Sequence, residues 1–172
     1  TIKITGGVIT AKSDAGAGIG GGTGCSSGKT GQYGNTQYYG GNAHIRISGA
    51  PIIKTGSVGG GETKAEGSYL GKADIEVSGG DIQAQFIMEA TGKGVSNMPK
   101  FVMNGGIIHN NNTLSDEFYY IKKYGGAVYM NEGSFTMNDG TIRDCSAEQG
   151  GAVYICGDNN PTFSMNGGTI KA

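Results

Sequence analysis

One eight-residue pattern, met six times, limits this chain more than anything else in it. The copies are IKITGGVI (2–9), IRISGAPI (45–52), IEVSGGDI (75–82), FVMNGGII (101–108), FTMNDGTI (135–142) and FSMNGGTI (163–170). Their starts lie 43, 30, 26, 34 and 28 residues apart. Positions one and three are apolar and position two varies, the period-2 alternation of a half-buried strand. Position four is Thr, Ser or Asn, and two small residues follow, a combination that turns the chain through glycine at positive φ. A second short strand then begins near the apolar eighth position. Between the copies lies another motif, GAGIGGG (16–22), SVGGG (57–61), GGAVYM (125–130) and GGAVYI (150–155), which supplies a third strand. Repeats of this length stack into continuous cores rather than standing alone.

The direction of stacking follows from the corners. Tandem antiparallel hairpins would place two-residue Asn-Gly or Asp-Gly loops between paired strands. Here the small pair sits inside the motif, and the apolar pattern repeats in one direction, so the strands of successive copies are expected to run parallel. The expected class is all-β, a β-solenoid of about six coils with three short strands each, ~30 Å long at the ~4.8 Å strand spacing. Stacking then predicts core columns. Position one gives Ile2, Ile45, Ile75, Phe101, Phe135 and Phe163. Position three gives Ile4, Ile47, Val77, Met103, Met137 and Met165, and position eight Ile9, Ile52, Ile82, Ile108, Ile142 and Ile170. Position four stacks as Thr5, Ser48, Ser78, Asn104, Asn138 and Asn166, polar groups placed to bond the backbone of a neighbouring coil.

Composition narrows the class further. Glycine makes up 35 of 172 residues, but without a three-residue period, which excludes collagen, and only 3 prolines accompany it. A net charge of -1 argues against a nucleic-acid partner. No apolar run is long enough to span a membrane. Cys25, Cys145 and Cys156 form no CxxC pattern, and an odd count argues against a disulfide framework. A Cys145–Cys156 bridge and two buried thiols both fit, the thiols better. The chain reads as a single domain over 1–172, a segment of a larger protein.

The pairing of GGAV at 125–128 with FTMN at 135–138, and of GGAV at 150–153 with FSMN at 163–166, resembles the GGA[IVL] and FxxN repeats of the chlamydial polymorphic outer membrane proteins. FVMN at 101–104 is a third such tetrapeptide. The stretch from ITGGVITA to GAGIGGG (4–22) is similar to repeats of large surface proteins of Gram-positive gut bacteria. The resemblance implies a right-handed parallel β-helix in a secreted or surface-displayed bacterial protein, wall-anchored or in the outer membrane, often an adhesin. The first three copies carry Thr or Ser where the FxxN motif has Asn.

Binding residues of stacked repeats concentrate on outer faces and insertions. Two insertions stand out, about 22–43 and 110–126. The first carries Tyr33, Tyr38 and Tyr39 among glycines, and the second Asp116, Glu117, Tyr119, Tyr120 and Tyr124. Aromatic rings beside amides and carboxylates suit a host or cell-wall carbohydrate, or a host surface protein. The same rings could instead pack down and cover the side of the coils.

Other motifs carry less. Gly16, Gly18 and Gly21 fit G-x-G-x-x-G but precede no amphipathic helix, and SSGKT (26–30) lacks the upstream glycine of a phosphate loop. His44 and His109 are far apart in sequence, so no metal site or cofactor is expected. The enzymatic alternative, a polysaccharide lyase or hydrolase, needs clustered carboxylates. Stacking puts His109, Arg143 and Lys171 in one outward column beside Asp144, yet the same column holds Thr10, Ile53 and Gln83, so no acidic line forms.

Overall fold

The computed structural model describes residues 1–12, 17–22, 41–60, 71–88, 98–110, 124–157 and 160–172, and the backbone alone of 25–30 and 36–39. Among the described residues the fold is all-β, built around a parallel sheet. The first strands of the six motif copies are β1 (Ile2–Ile4), β6 (Ala43–Ile47), β8 (Ala73–Met88), β9 (Lys100–Asn110), β11 (Ser134–Cys145) and β13 (Thr162–Met165). They lie side by side in the order β1-β6-β8-β9-β11-β13, each parallel to the next.

The register is the one the motif dictates. Ile2 pairs with Ile45, Ile45 with Ile75, Ile75 with Phe101, Phe101 with Phe135 and Phe135 with Phe163. Position three stacks likewise from Ile4 through Ile47, Val77, Met103 and Met137 to Met165. A one-residue slip would turn every inward side chain out, so burial of this face fixes the pairing. In β6, accordingly, Ala43, Ile45 and Ile47 are buried while the Arg46 side chain points out.

The second strands form a parallel stack of their own: β2 (Val8–Ala11), the start of β7 (Ile52–Gly59), the middle of β8, the ends of β9 and β11, and β14 (Thr169–Lys171). Here the predicted position-eight column needs one correction. Ile9 pairs with Ile53, not Ile52, and Ile53 continues to Ile82, Ile108, Ile142 and Ile170. Ile53 is fully buried, whereas Ile52 is 55% exposed beside Val8. The cause lies in the corner. Five copies turn at positive φ on the sixth residue, at Gly7, Gly80, Gly106, Gly140 and Gly168. The second copy has Ala50 there, and the positive φ moves to Gly49 (φ 71). An L side chain resists that region, so the turn comes earlier and the chain uses one more residue, Pro51, before the strand starts.

The third strands are β3 (Ile19–Gly20), the ends of β7 and β8, β10 (Val128–Met130) and β12 (Val153–Ile155). Ile19 pairs with Val58, Val58 with Phe86, Phe86 with Val128 and Val128 with Val153. All four copies of the glycine-rich motif therefore fall in this stack. A fifth member, Phe86-Ile87-Met88, carries no Gly-Gly pair and escaped the sequence pattern.

Strand length also departs from expectation. The expected three short strands per copy merge where corners keep their inter-strand hydrogen bonds: β8 runs for 16 residues, β11 for 12 and β9 for 11. The register shifts within the corners instead of the strand ending, as between Val77 and Ser78. The Asp81 amide still donates to the Pro51 carbonyl at 2.9 Å. The insertion at 22–43 contains an antiparallel pair, β4 (Cys25–Thr30) with β5 (Thr36–Tyr39), forming a separate two-stranded sheet. Its base is drawn together by the Gly41 amide donating to the Gly22 carbonyl at 3.0 Å.

The interior is a column of aromatic rings flanked by aliphatic ones. Phe86 stacks on Phe101 with ring centroids 4.7 Å apart, Phe101 on Phe135 at 4.5 Å and Phe135 on Phe163 at 4.9 Å. Phe86 belongs to the third stack and the other three to the first, so these two stacks face one interior. The position-four row behaves differently from expectation. Among the described residues only Ser78 of this row reaches the neighbouring backbone, its Oγ donating to the Ile47 carbonyl at 3.5 Å. The asparagines bond one another: Asn166 Nδ2 donates to Asn138 Oδ1 and Asn138 Nδ2 to Asn104 Oδ1, both at 2.8 Å. The row ends where Asn104 Nδ2 donates to Glu76 Oε1 at 3.4 Å. An amide carries both donor and acceptor, so equal spacing lets it pair with its own kind above and below.

Candidate functional site

Outward side chains on the strands alternate with the buried columns, and two outer rows hold most of the chemistry. The first is aromatic. Tyr129 and Tyr154 are paired neighbours on β10 and β12, and their rings lie 6.1 Å apart at 10°. Tyr124 leans over both, 4.8 Å from Tyr154 and 6.2 Å from Tyr129. All three are half-buried. Tyr124 is the residue on which the 110–126 insertion rejoins the third strand. Its carbonyl accepts from Gln85 Nε2 at 2.6 Å, and its backbone bridges to Gln149. The adjacent Gly125 amide donates to the Gln149 carbonyl at 2.9 Å. Below the cluster the Cys156 thiol donates to the Tyr129 hydroxyl at 3.7 Å. Three phenols on one face offer apolar ring edges and hydroxyl groups together, a combination that suits polyhydroxylated or peptidic ligands.

Of the eight candidate residues, Tyr33, Asp116, Glu117, Tyr119 and Tyr120 lie outside the described residues. Tyr38 and Tyr39 are described only as backbone of β5, opposite Ser26 and Cys25. Tyr124 is held in the cluster just given. The two insertions leave the stack at different places: 22–43 after the third strand of the first copy, 110–126 before the third strand of the fourth. Tyr129 and Tyr154 were missed as site residues. Their signal was present, since both occupy the same place in GGAVYM and GGAVYI.

The second row is charged. Lys54, Gln83, His109, Arg143 and Lys171 follow one another in register along the second stack, Gln83 being buried. Lys54 stands where Ile53 was expected, a consequence of the extra corner residue. His109 Nε2 lies 2.9 Å from Asp81 Oδ1, and Arg143 pairs with Asp144, which takes φ 50. On the first stack Arg46 pairs with Glu76, and His44 Nδ1 lies 4.0 Å from Asp74. Arg46, Arg143 and the two histidines thus each have an acid at hand. These exposed pairs are worth ~0–1 kcal/mol each. Arg46 with Glu76 and Arg143 with Asp144 offset each other's charge within the pair. Among the described residues no three His, Cys, Asp or Glu side chains come together to hold a metal ion.

The cysteines Cys145 and Cys156 are free thiols. Cys145 is buried at the second corner, opposite Asn110. Burial pushes its thiol above the usual range, against a smaller opposing effect of its hydrogen bond with Asn110. It is accordingly a packing residue in its protonated form at neutral pH. Among the described residues no helix is long and apolar enough to cross a membrane. Comparison with protein-family models, with curated proteins and with solved structures gave no match.

Proposed function

We propose that this chain is a right-handed parallel β-helix of about six coils, serving as a non-catalytic adhesive or stalk segment of a secreted or surface-displayed bacterial protein. The observation that carries the helical reading is the shared ring column. Phe86 from the third stack rests on Phe101 from the first at 4.7 Å, as coils wound around one interior require. The adhesive reading draws on the outer faces, where the Tyr124, Tyr129 and Tyr154 cluster and the tyrosine-bearing insertions are the features suited to a ligand. The partner would be a host or cell-wall carbohydrate, or a host surface protein.

A second reading, a polysaccharide lyase or hydrolase, is favoured by one contact. His109 sits 2.9 Å from Asp81, one rung from Arg143, which puts an imidazole beside a carboxylate and near a cation. One experiment separates the two. The protein is screened on a glycan array and assayed on pectins and alginates, alongside a Tyr124→Ala/Tyr129→Ala/Tyr154→Ala variant and an Arg143→Ala variant. The adhesive reading expects glycan binding that the tyrosine variant loses, with no turnover. Product formation that disappears with Arg143 would replace it by the enzymatic one.

A further inference from the structure

Where the 110–126 insertion returns to the stack, the chain is gripped by three rungs at once. The amides of the returning segment go to the following rung. Gly125 N–H donates to the Gln149 carbonyl at 2.9 Å, Gly126 N–H to that of Gly150 at 3.2 Å and Ala127 N–H to that of Ala152 at 2.8 Å. The carbonyls are met by side chains instead. Gln85, on the preceding rung and 1% exposed, donates from Nε2 to the Tyr124 carbonyl at 2.6 Å and to the Gly125 carbonyl. A primary amide nitrogen carries two N–H groups, so one side chain serves both. Asn110, the buried residue that ends β9 and from which the insertion departs, donates from Nδ2 to the Gly126 carbonyl at 2.6 Å. Backbone bonding to the preceding rung resumes one residue later, where Phe86 N–H donates to the Ala127 carbonyl at 2.7 Å.

We infer that Gln85 and Asn110 are positioning residues of the tyrosine cluster: by holding the carbonyls of Tyr124, Gly125 and Gly126 they set the Tyr124 ring against Tyr154 and Tyr129. Both act through the backbone that carries the ring. What the cluster binds rests on the adhesive reading above; where its rings stand does not.

Two features distinguish these amides from packing residues. The partner of Asn110 on the next rung is Cys145, in a copy that runs to its Gly150-Gly151 pair without an insertion. An amide therefore stands at the corner where the chain leaves and returns, and a thiol where it passes straight on. The returning segment is also closely fitted to the following rung. Gly125 takes φ 62, and a Cβ at Gly126 would lie 2.0 Å from the Gly151 carbonyl oxygen. Seated in that arrangement, its carbonyls need donors from the other side, since a buried carbonyl left unpaired is costly. Without Gln85 and Asn110 the segment is expected to shift towards water, and the Tyr124 ring, 4.8 Å from that of Tyr154, would move with it.

Proton NMR of the aromatic signals tests this with Gln85→Met, Asn110→Cys and a Tyr124→Leu reference. Asn110→Cys uses the residue that the next rung already accommodates at this corner, so it keeps a packed side chain and removes the donor. Ring currents shift the Tyr129 and Tyr154 ring protons in wild type, and Tyr124→Leu gives their positions without the third ring. Both donor variants are expected to move these protons towards the reference, while the amide signals of β1 and β2 stay in place. Wild-type ring signals in a folded variant of either residue would overturn its assignment. So would loss of the whole fold, because the amide would then support the stack in general and not the cluster. Binding is read on the glycan array with the same proteins. Where wild type binds a glycan and Tyr124→Leu loses it, both donor variants should weaken it, and undiminished binding would overturn the assignment. A wild type that binds no glycan, or binding that Tyr124→Leu leaves intact, removes the adhesive reading of the cluster and leaves the ring signals to decide the roles of Gln85 and Asn110.

Discussion

Truncating Phe135 to alanine tests the ring column where it is most enclosed. The side chain is fully buried, with Phe101 stacked 4.5 Å away at 8° on one side and Phe163 4.9 Å away at 20° on the other. Removing a buried phenyl ring costs ~3–5 kcal/mol, the transfer term plus the cavity left behind. Within that total, each lost ring pair contributes ~0.5–1.5 kcal/mol. Phe163 has one ring neighbour among the described residues and is half-buried, so Phe163→Ala should lose roughly half as much, ~1.5–2.5 kcal/mol. Phe135→Leu, which keeps most of the volume and loses the stacking, should fall between wild type and Phe135→Ala. Urea unfolding followed by circular dichroism gives all three values. Equal losses at Phe135 and Phe163, or a loss at Phe135 near that of an exposed site, would mean that the rings do not form one enclosed column.

Two further outcomes follow from local geometry. Gly49→Ala should destabilise by more than ~2 kcal/mol, since φ 71 already costs an L residue ~1–2 kcal/mol and the new Cβ would lie 2.3 Å from the Thr5 carbonyl oxygen. Gly56→Ala, with no atom within 4 Å of the added carbon, should be neutral or gain up to ~1 kcal/mol, and thermal melts of both compare them directly. For the thiols, Cys156 should react with a maleimide well before Cys145 at neutral pH, as mass spectrometry of labelled peptides would read. Because burial raises the Cys145 thiol, its contribution to stability is complete below the unfolded thiol's range and lost as pH rises above it.

Much of this arrangement was legible because side-chain alternation and small corner residues are local properties. Columns one and three needed nothing else. Column eight failed at a place the pattern could not resolve: Ile52 and Ile53 are adjacent and equally apolar, and only the turn at Gly49 decides which faces inward. The third strand at Phe86 was hidden for the opposite reason. Its place is set by pairing with Val58 and Val128, partners 28 and 42 residues away, and not by any glycine beside it. The asparagine row was recognised as a row, but its partners depend on a distance between rungs that residue type alone does not give. At the candidate site, Tyr129 and Tyr154 looked like strand residues of a repeat, and their cluster with Tyr124 became visible only once β10 and β12 lay side by side.

The uneven spacing of the copies has a consequence for how such a chain can change over generations. Intervals of 43, 30, 26, 34 and 28 residues all return to the same strand pairing. Surplus length leaves the stack and comes back at a neck, as at Gly22 and Gly41, without disturbing the rung above or below. Selection can therefore lengthen, shorten or replace a presented segment as a self-contained edit. What it cannot do cheaply is alter a single inward residue, because that residue has a counterpart on each adjoining rung and the change is felt by both.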